Sequence, residues 1–126
     1  PEMKPLYGLE EISEFKWMGD DKIFQFLQLW KQIVENNTIQ LSSKQLAEIL
    51  IKKMEPSKVL SQDIAYWRRL PDGNEQKSYD YLVNAMQSHL DRVQMAKNQE
   101  SRRAILQRGS GLPPALIAGG DGSKRP

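Results

Sequence analysis

A chain of 126 residues, of which 39% are hydrophobic and 27% charged, has room for one ordinary domain core and a soluble surface. Because it contains no cysteine, disulfides, thiolate metal sites and a cysteine nucleophile are excluded. The net charge of +2 is unevenly distributed along the chain. From Lys97 onward there are six basic and two acidic residues, for a net charge of +4, whereas the residues before Lys97 have a net charge of −2. This asymmetry favours an acidic partner.

The first two helical segments lie on either side of Gly19. Residues 6–18 carry apolar side chains at helical spacing, which predicts a short helix closed by Gly19. Asp20 can cap the second helix, and Asn36 ends it because asparagine tolerates the conformation found beyond a helix C-terminus. Six residues are predicted to form the buried face of this second helix: Ile23, Phe26, Leu27, Trp30, Ile33 and Val34.

The third segment has a complete helix start signal. Ser42 and Gln45 are spaced as a capping box, and Leu41 and Leu46 are spaced as a hydrophobic staple. Pro56 ends this helix, because proline lacks the N–H that a helix interior needs.

Two further helices are predicted after Pro56. The fourth covers about residues 58–70, is capped by Ser57 and is followed by a turn at residues 71–74. Its inward-facing residues are predicted to be Val59, Leu60, Ile64 and Trp67. The fifth starts near Glu75 and can continue to Gln107, although its apolar stripe fails after Lys97, where we expect the helix to leave the bundle or fray. That stripe consists of Tyr79, Leu82, Val83, Met86, Leu90 and Val93.

These elements predict an all-α fold: an irregular bundle of about five helices with a disordered C-terminal tail. Residues 1–108 form the bundle, with an N-terminal arm and short helix in residues 1–18 and the main helices in 19–108. Residues 109–126 form a flexible basic tail rich in glycine and proline. No apolar run is long enough to span a membrane. The aromatic candidates for the core are Trp17, Phe24, Trp30 and Trp67.

Little in the sequence indicates catalysis. His89, the one histidine, lies at the edge of the apolar stripe and has no partner nearby in sequence that would orient it as a general base. Asp20 and Asp21 are too few acids for a cation loop, and neither nucleotide-binding glycine motif is present. We therefore expect no enzyme activity, no metal and no cofactor.

Two basic features are candidate binding sites. Arg68 and Arg69 follow Trp67 and can contact a phosphate or an acidic partner, although a solvated helix end explains them too. Towards the C-terminus, arginines precede an apolar segment, and residues 102–117 are predicted to dock on a partner, with a solubilising tail as the alternative. The residues assigned to this docking segment are Arg102, Arg103, Arg108, Leu112, Leu116 and Ile117.

Two function classes follow from these features. A small helical domain without catalytic groups favours a non-enzymatic protein-binding module, an adaptor or assembly domain, whose partner is another protein. The alternative is a nucleic-acid-binding or nucleoprotein-assembly domain that uses the basic C-terminal end. The absence of cysteine fits an intracellular protein.

Overall fold

The computed structural model describes residues 6–108, and within them the chain is all-α, as predicted. Five α-helices follow one another: α1 (Leu9–Glu14), α2 (Ile23–Glu35), α3 (Ser43–Met54), α4 (Ser61–Arg69) and α5 (Tyr79–Gln107). A 3-10 turn at Asp20–Lys22 leads into α2. The residues 109–126, predicted to form the tail, lie outside the described part of the chain.

The chain divides into two compact units, with the boundary between Leu90 and Asp91 inside α5. We therefore describe residues 6–90 and residues 91–108 separately. The predicted boundary between bundle and tail at residue 108 stays a prediction.

The core of residues 6–90 is assembled from one face of every helix. α2 contributes more buried residues than any other described helix, because its apolar residues recur every three or four positions and so lie on one side of the helix. Trp30 is 0% exposed, and its indole N–H donates a hydrogen bond to the Tyr79 hydroxyl at 2.9 Å. The nine most completely buried side chains are Trp30, Phe26, Ile23, Leu27, Leu50, Met54, Leu60, Leu82 and Met86.

The predicted capping box at the start of α3 is present. The Ser42 hydroxyl accepts the Gln45 backbone N–H at 3.1 Å, and the Gln45 side chain accepts the Ser42 backbone N–H at 2.8 Å. Leu41 and Leu46, the predicted staple residues, are both partly buried against the core. Local sequence thus determines where this helix begins.

Asp20 does not cap the helix that follows it. Its carboxylate instead accepts the backbone N–H groups of Lys58 at 2.9 Å and Val59 at 3.2 Å, which lie just before α4. The Ser57 hydroxyl accepts the Leu60 N–H at 3.2 Å, so it caps a turn that precedes α4, and the regular helix begins at Ser61. The sequence had placed this helix start about three residues too early.

Two residues within 6–90 that were predicted to be buried are exposed. Phe24 is 57% exposed, because it lies one position beyond Ile23 and faces away from the core side of α2. Val59 is exposed as well, since its backbone is held in the Asp20 turn and not in a helix. Trp17 is half-buried, with its ring 4.7 Å from that of Phe26.

Candidate partner-binding surface

The distal segment of α5, residues 91–108, is helical to Gln107 but contains no buried side chain within the described residues. Met95 is 59% exposed and Leu106 is 74% exposed, and Val93 and Ile105 are exposed too. Val93 was predicted to belong to the buried stripe, so the stripe ends earlier than the sequence suggested. Four large apolar side chains in this segment, Val93, Met95, Ile105 and Leu106, are therefore available to solvent.

Helical structure in the distal segment depends on local interactions. Alanine, arginine, glutamine, leucine, lysine and methionine, which dominate this stretch, have high intrinsic helix propensity. The segment continues a helix already nucleated at Tyr79, so it does not bear the cost of a new first turn. Gln94 donates to the Asn98 side chain at 3.2 Å, which adds one contact between successive turns.

Helical spacing places two of the exposed apolar residues, Met95 and Leu106, on one face with arginines. Arg92, Met95, Gln99, Arg102 and Leu106 are separated by three, four, three and four positions, which is the spacing of a single helix face. We call this face the distal stripe. It presents an apolar side chain near each end and the guanidinium of Arg102 between them.

The charge of the distal segment is opposite in sign to that of the residues before it. Residues 91–108 carry five basic and two acidic side chains, for a net charge of +3. Residues 6–90 carry ten basic and twelve acidic side chains, for a net charge of −2. Arg102, Arg103 and Arg108, assigned from the sequence to the docking segment, are all exposed.

The three apolar residues assigned to the docking segment, Leu112, Leu116 and Ile117, lie outside the described part of the chain. Arg108 occupies the last described position, where its backbone N–H donates to the Ala104 carbonyl at 3.1 Å and completes the final helical turn. The structure therefore describes only the N-terminal, basic half of the predicted docking segment, and that half is helical.

Arg68 and Arg69 do not converge on a common ligand. Arg68 forms an exposed ion pair with the Glu55 carboxylate. Arg69 instead lines a shallow cavity of about 440 Å³ beside Tyr66 and Tyr81. Adjacent positions on a helix point about 100° apart, which accounts for this separation. Both arginines stay candidates for contact with an acidic partner, but as separate contacts.

We also searched residues 6–108 for a metal site and for a membrane-spanning helix. No group of three or more histidine, aspartate and glutamate side chains in this part of the chain is arranged to hold a metal ion. His89 is half-buried. None of the described helices combines the length and the apolar character needed to cross a bilayer.

One cluster in residues 6–90 was missed by the sequence analysis. Lys16 and Trp17 precede α2, whereas Lys52 and Lys53 end α3, and the fold brings these four residues around one cavity. The sequence shows Lys16 beside Trp17 and Lys52 beside Lys53, but it does not relate the two pairs, and two adjacent lysines at a helix end are ordinary.

Comparison with known proteins adds no relative. No protein-family model matches this chain, and no curated protein or solved structure shows significant similarity to it.

Proposed function

We propose that this protein is a non-enzymatic protein-binding module whose distal stripe docks on an acidic partner protein. The observation that supports this proposal most directly is the exposure of Met95 and Leu106 on a helix face that also carries Arg102. Large apolar side chains on an exposed helix, combined with charge of one sign, are typical of a helix that binds in the groove of a partner.

Each part of the stripe has a distinct task in this proposal. Leu106 and Met95 supply apolar anchors, and methionine adapts readily to the shape of a partner surface. Arg102 forms a two-pronged contact with a carboxylate, which its planar guanidinium fits well. Arg103 and Arg108 add positive charge, which accelerates encounter with an acidic surface more than it strengthens the final complex.

The charge of the distal segment argues against self-association through this helix. Two copies of a +3 segment repel each other when they are placed side by side. An acidic partner removes this repulsion and gains attraction. Leu112, Leu116 and Ile117, which the sequence predicts as further anchors, follow the stripe in sequence and lie outside the described part of the chain.

Affinity capture from the source cell tests this function. The full chain is compared with a variant that carries Met95→Ser and Leu106→Ser, and with one that carries Arg102→Ala and Arg103→Ala. A matched control carries Leu29→Ser and Val59→Ser, which changes two exposed apolar residues outside the distal segment. We expect one partner protein to be lost with both distal variants and retained with the control. Retention with all three variants would contradict the proposal.

Nucleic-acid binding is the second candidate, because the distal segment is basic and all of its residues except Ala104 are exposed. Binding of this kind depends on phosphate neutralisation and weakens steeply with salt. Capture is therefore repeated with nuclease and at raised salt. If nuclease abolishes capture, and only the arginine variant weakens it, nucleic acid is the better interpretation of the same surface.

A further inference from the structure

A cavity of about 390 Å³ lies between the segment that precedes α2 and the C-terminal end of α3. Three lysines contribute to its walls, Lys16, Lys52 and Lys53, together with three apolar residues, Trp17, Ile49 and Pro56. None of the described aspartate and glutamate residues lines it. We call this site the lysine–tryptophan cavity. It uses none of the residues of the distal stripe.

The three lysines concentrate positive charge in a part of the chain whose net charge is negative. The Lys53 ammonium is held in place, since it donates to the backbone carbonyls of Ile12 and Phe15, both at 2.6 Å. Burial, followed by the positive charge of Lys16, lowers the pKa of Lys53. The ammonium groups of Lys16 and Lys53 are thus close enough to repel each other, and a bound anion would relieve that repulsion.

Lys16 and Lys52 are free to contact a ligand. Both side chains are exposed, and neither forms an ion pair with another residue in the described part of the chain. Lys53, by contrast, contributes charge and holds the wall in position. The cavity therefore has two exposed ammonium groups, on Lys16 and Lys52, and a third, on Lys53, that is held by hydrogen bonds.

The apolar wall gives the cavity a second property. Trp17 packs on Phe26 with ring centroids 4.7 Å apart and is half-buried, so its ring is supported from inside the protein. Ile49 and Pro56 add apolar surface at the same cavity. A supported aromatic ring with neighbouring cations resembles the stacking and charge contacts with which proteins bind nucleotides. The volume falls in the usual range for small-molecule sites.

We propose that the lysine–tryptophan cavity binds a small organic phosphate of the nucleotide type. The phosphate oxygens accept hydrogen bonds from the ammonium groups of Lys16 and Lys52, and the planar ring packs on Trp17. Such charge-assisted hydrogen bonds are stronger than neutral ones, which is why lysine is common in phosphate sites. No bond is made or broken in this binding.

Isothermal titration calorimetry of the full chain tests this site, with ATP and inorganic tripolyphosphate as probes at low salt. The two probes carry similar charge, so a difference in affinity reports on the organic part. The test variant carries Lys16→Gln and Lys52→Gln. A matched control carries Lys31→Gln and Lys44→Gln, two exposed lysines that line other cavities.

We expect ATP to bind more tightly than tripolyphosphate, and the test variant to weaken ATP binding about tenfold or more while the control stays within about twofold. Trp17→Phe, checked for folding by circular dichroism, should narrow the difference between the two probes. Failure of ATP to bind, equal loss in test and control variants, or equal affinity of the two probes would each overturn the proposal. Equal loss would identify general attraction to surface charge.

Discussion

The Asp20 carboxylate accepts the backbone N–H of Lys58 at 2.9 Å, and this hydrogen bond joins the entry to α2 to the entry to α4. The same oxygen accepts the Val59 N–H at 3.2 Å. Together these contacts satisfy amide groups that have no partner within their own turn. One acidic residue thereby stabilises the turn that precedes α4, at a residue 38 positions further along the chain.

Removal of this carboxylate should destabilise the fold in a pH-dependent way. Asp20→Ala should cost about 1–2 kcal/mol at pH 7, the usual cost of losing a helix cap. Asp21→Ala, which changes the exposed neighbouring acid, should change the free energy of unfolding by less than about 0.5 kcal/mol. Urea unfolding of the three proteins measures both effects.

The sign of the pH dependence follows from the direction of the pKa shift. Burial raises the pKa of Asp20. Hydrogen bonds from the Ser57 hydroxyl and from the backbone N–H groups of Lys58 and Val59 lower it, and their combined effect exceeds that of burial. The pKa of Asp20 therefore lies below its ordinary value of 3.8. The stabilisation is therefore present above pH 3.8 and is lost as the pH falls through the lowered pKa. The difference in stability between the native chain and Asp20→Ala should shrink in that acidic range. A constant difference down to pH 2 would show that the charge is irrelevant.

The hydrogen bond between Trp30 and Tyr79 should be measurable by a double-mutant cycle. Tyr79→Phe leaves the buried Trp30 N–H without its acceptor and should cost about 1–3 kcal/mol. In a Trp30→Phe background the same change should cost less, because no donor is left unsatisfied. Equal costs in the two backgrounds would mean that the hydrogen bond contributes nothing. Trp30→Ala, for comparison, should cost about 3–5 kcal/mol.

Ser42→Ala should destabilise the chain by about 0.5–2 kcal/mol, because the Gln45 N–H in the first turn of α3 loses its acceptor. Ser43→Ala is the matched control, since Ser43 is the first helical residue and its side chain makes no capping bond in the described structure. Thermal unfolding compares the two. Equal midpoints for the two variants would argue that the capping box has no energetic role.

Substitutions in the distal stripe should hardly change the free energy of unfolding. Because Met95 and Leu106 are exposed, the double change to serine should alter the free energy of unfolding by less than about 0.5 kcal/mol. Leu82→Ala, by contrast, removes a fully buried side chain of the same helix and should cost about 2–5 kcal/mol. A large loss for the distal variant would show that these residues serve the fold and not a partner.

Deletion of residues 109–126 should leave the thermal midpoint nearly unchanged, because their sequence offers little continuous apolar surface for burial. Differential scanning calorimetry of the full and shortened chains measures this. A marked fall in the midpoint would place the apolar segment from Leu112 to Ile117 against the bundle and contradict its role as a free docking element.

Helical periodicity predicted most of the core because it depends on short-range geometry. Residues three or four positions apart share a helix face wherever the helix lies, so the buried residues of α2 and the stripe of α5 as far as Leu90 could be identified from spacing alone. The prediction that Phe24 is buried was wrong. Phe24 lies at the edge of the apolar face of α2, and only the part of that face that includes Ile23 is buried. Spacing identifies a face, but the number of neighbouring elements decides how wide the buried part of that face is.

The sequence by itself determined the all-α class, the five helices and the capping box at Ser42, because each depends on interactions within a few residues. Tertiary structure alone decided the partner of Asp20, since a carboxylate can cap any amide group that the fold brings within reach. It also assembled the lysine–tryptophan cavity from Lys16 and Lys52, which are too far apart in sequence for any periodic pattern to relate. Local rules place a residue on a helix face, whereas contacts between distant segments depend on how those faces pack.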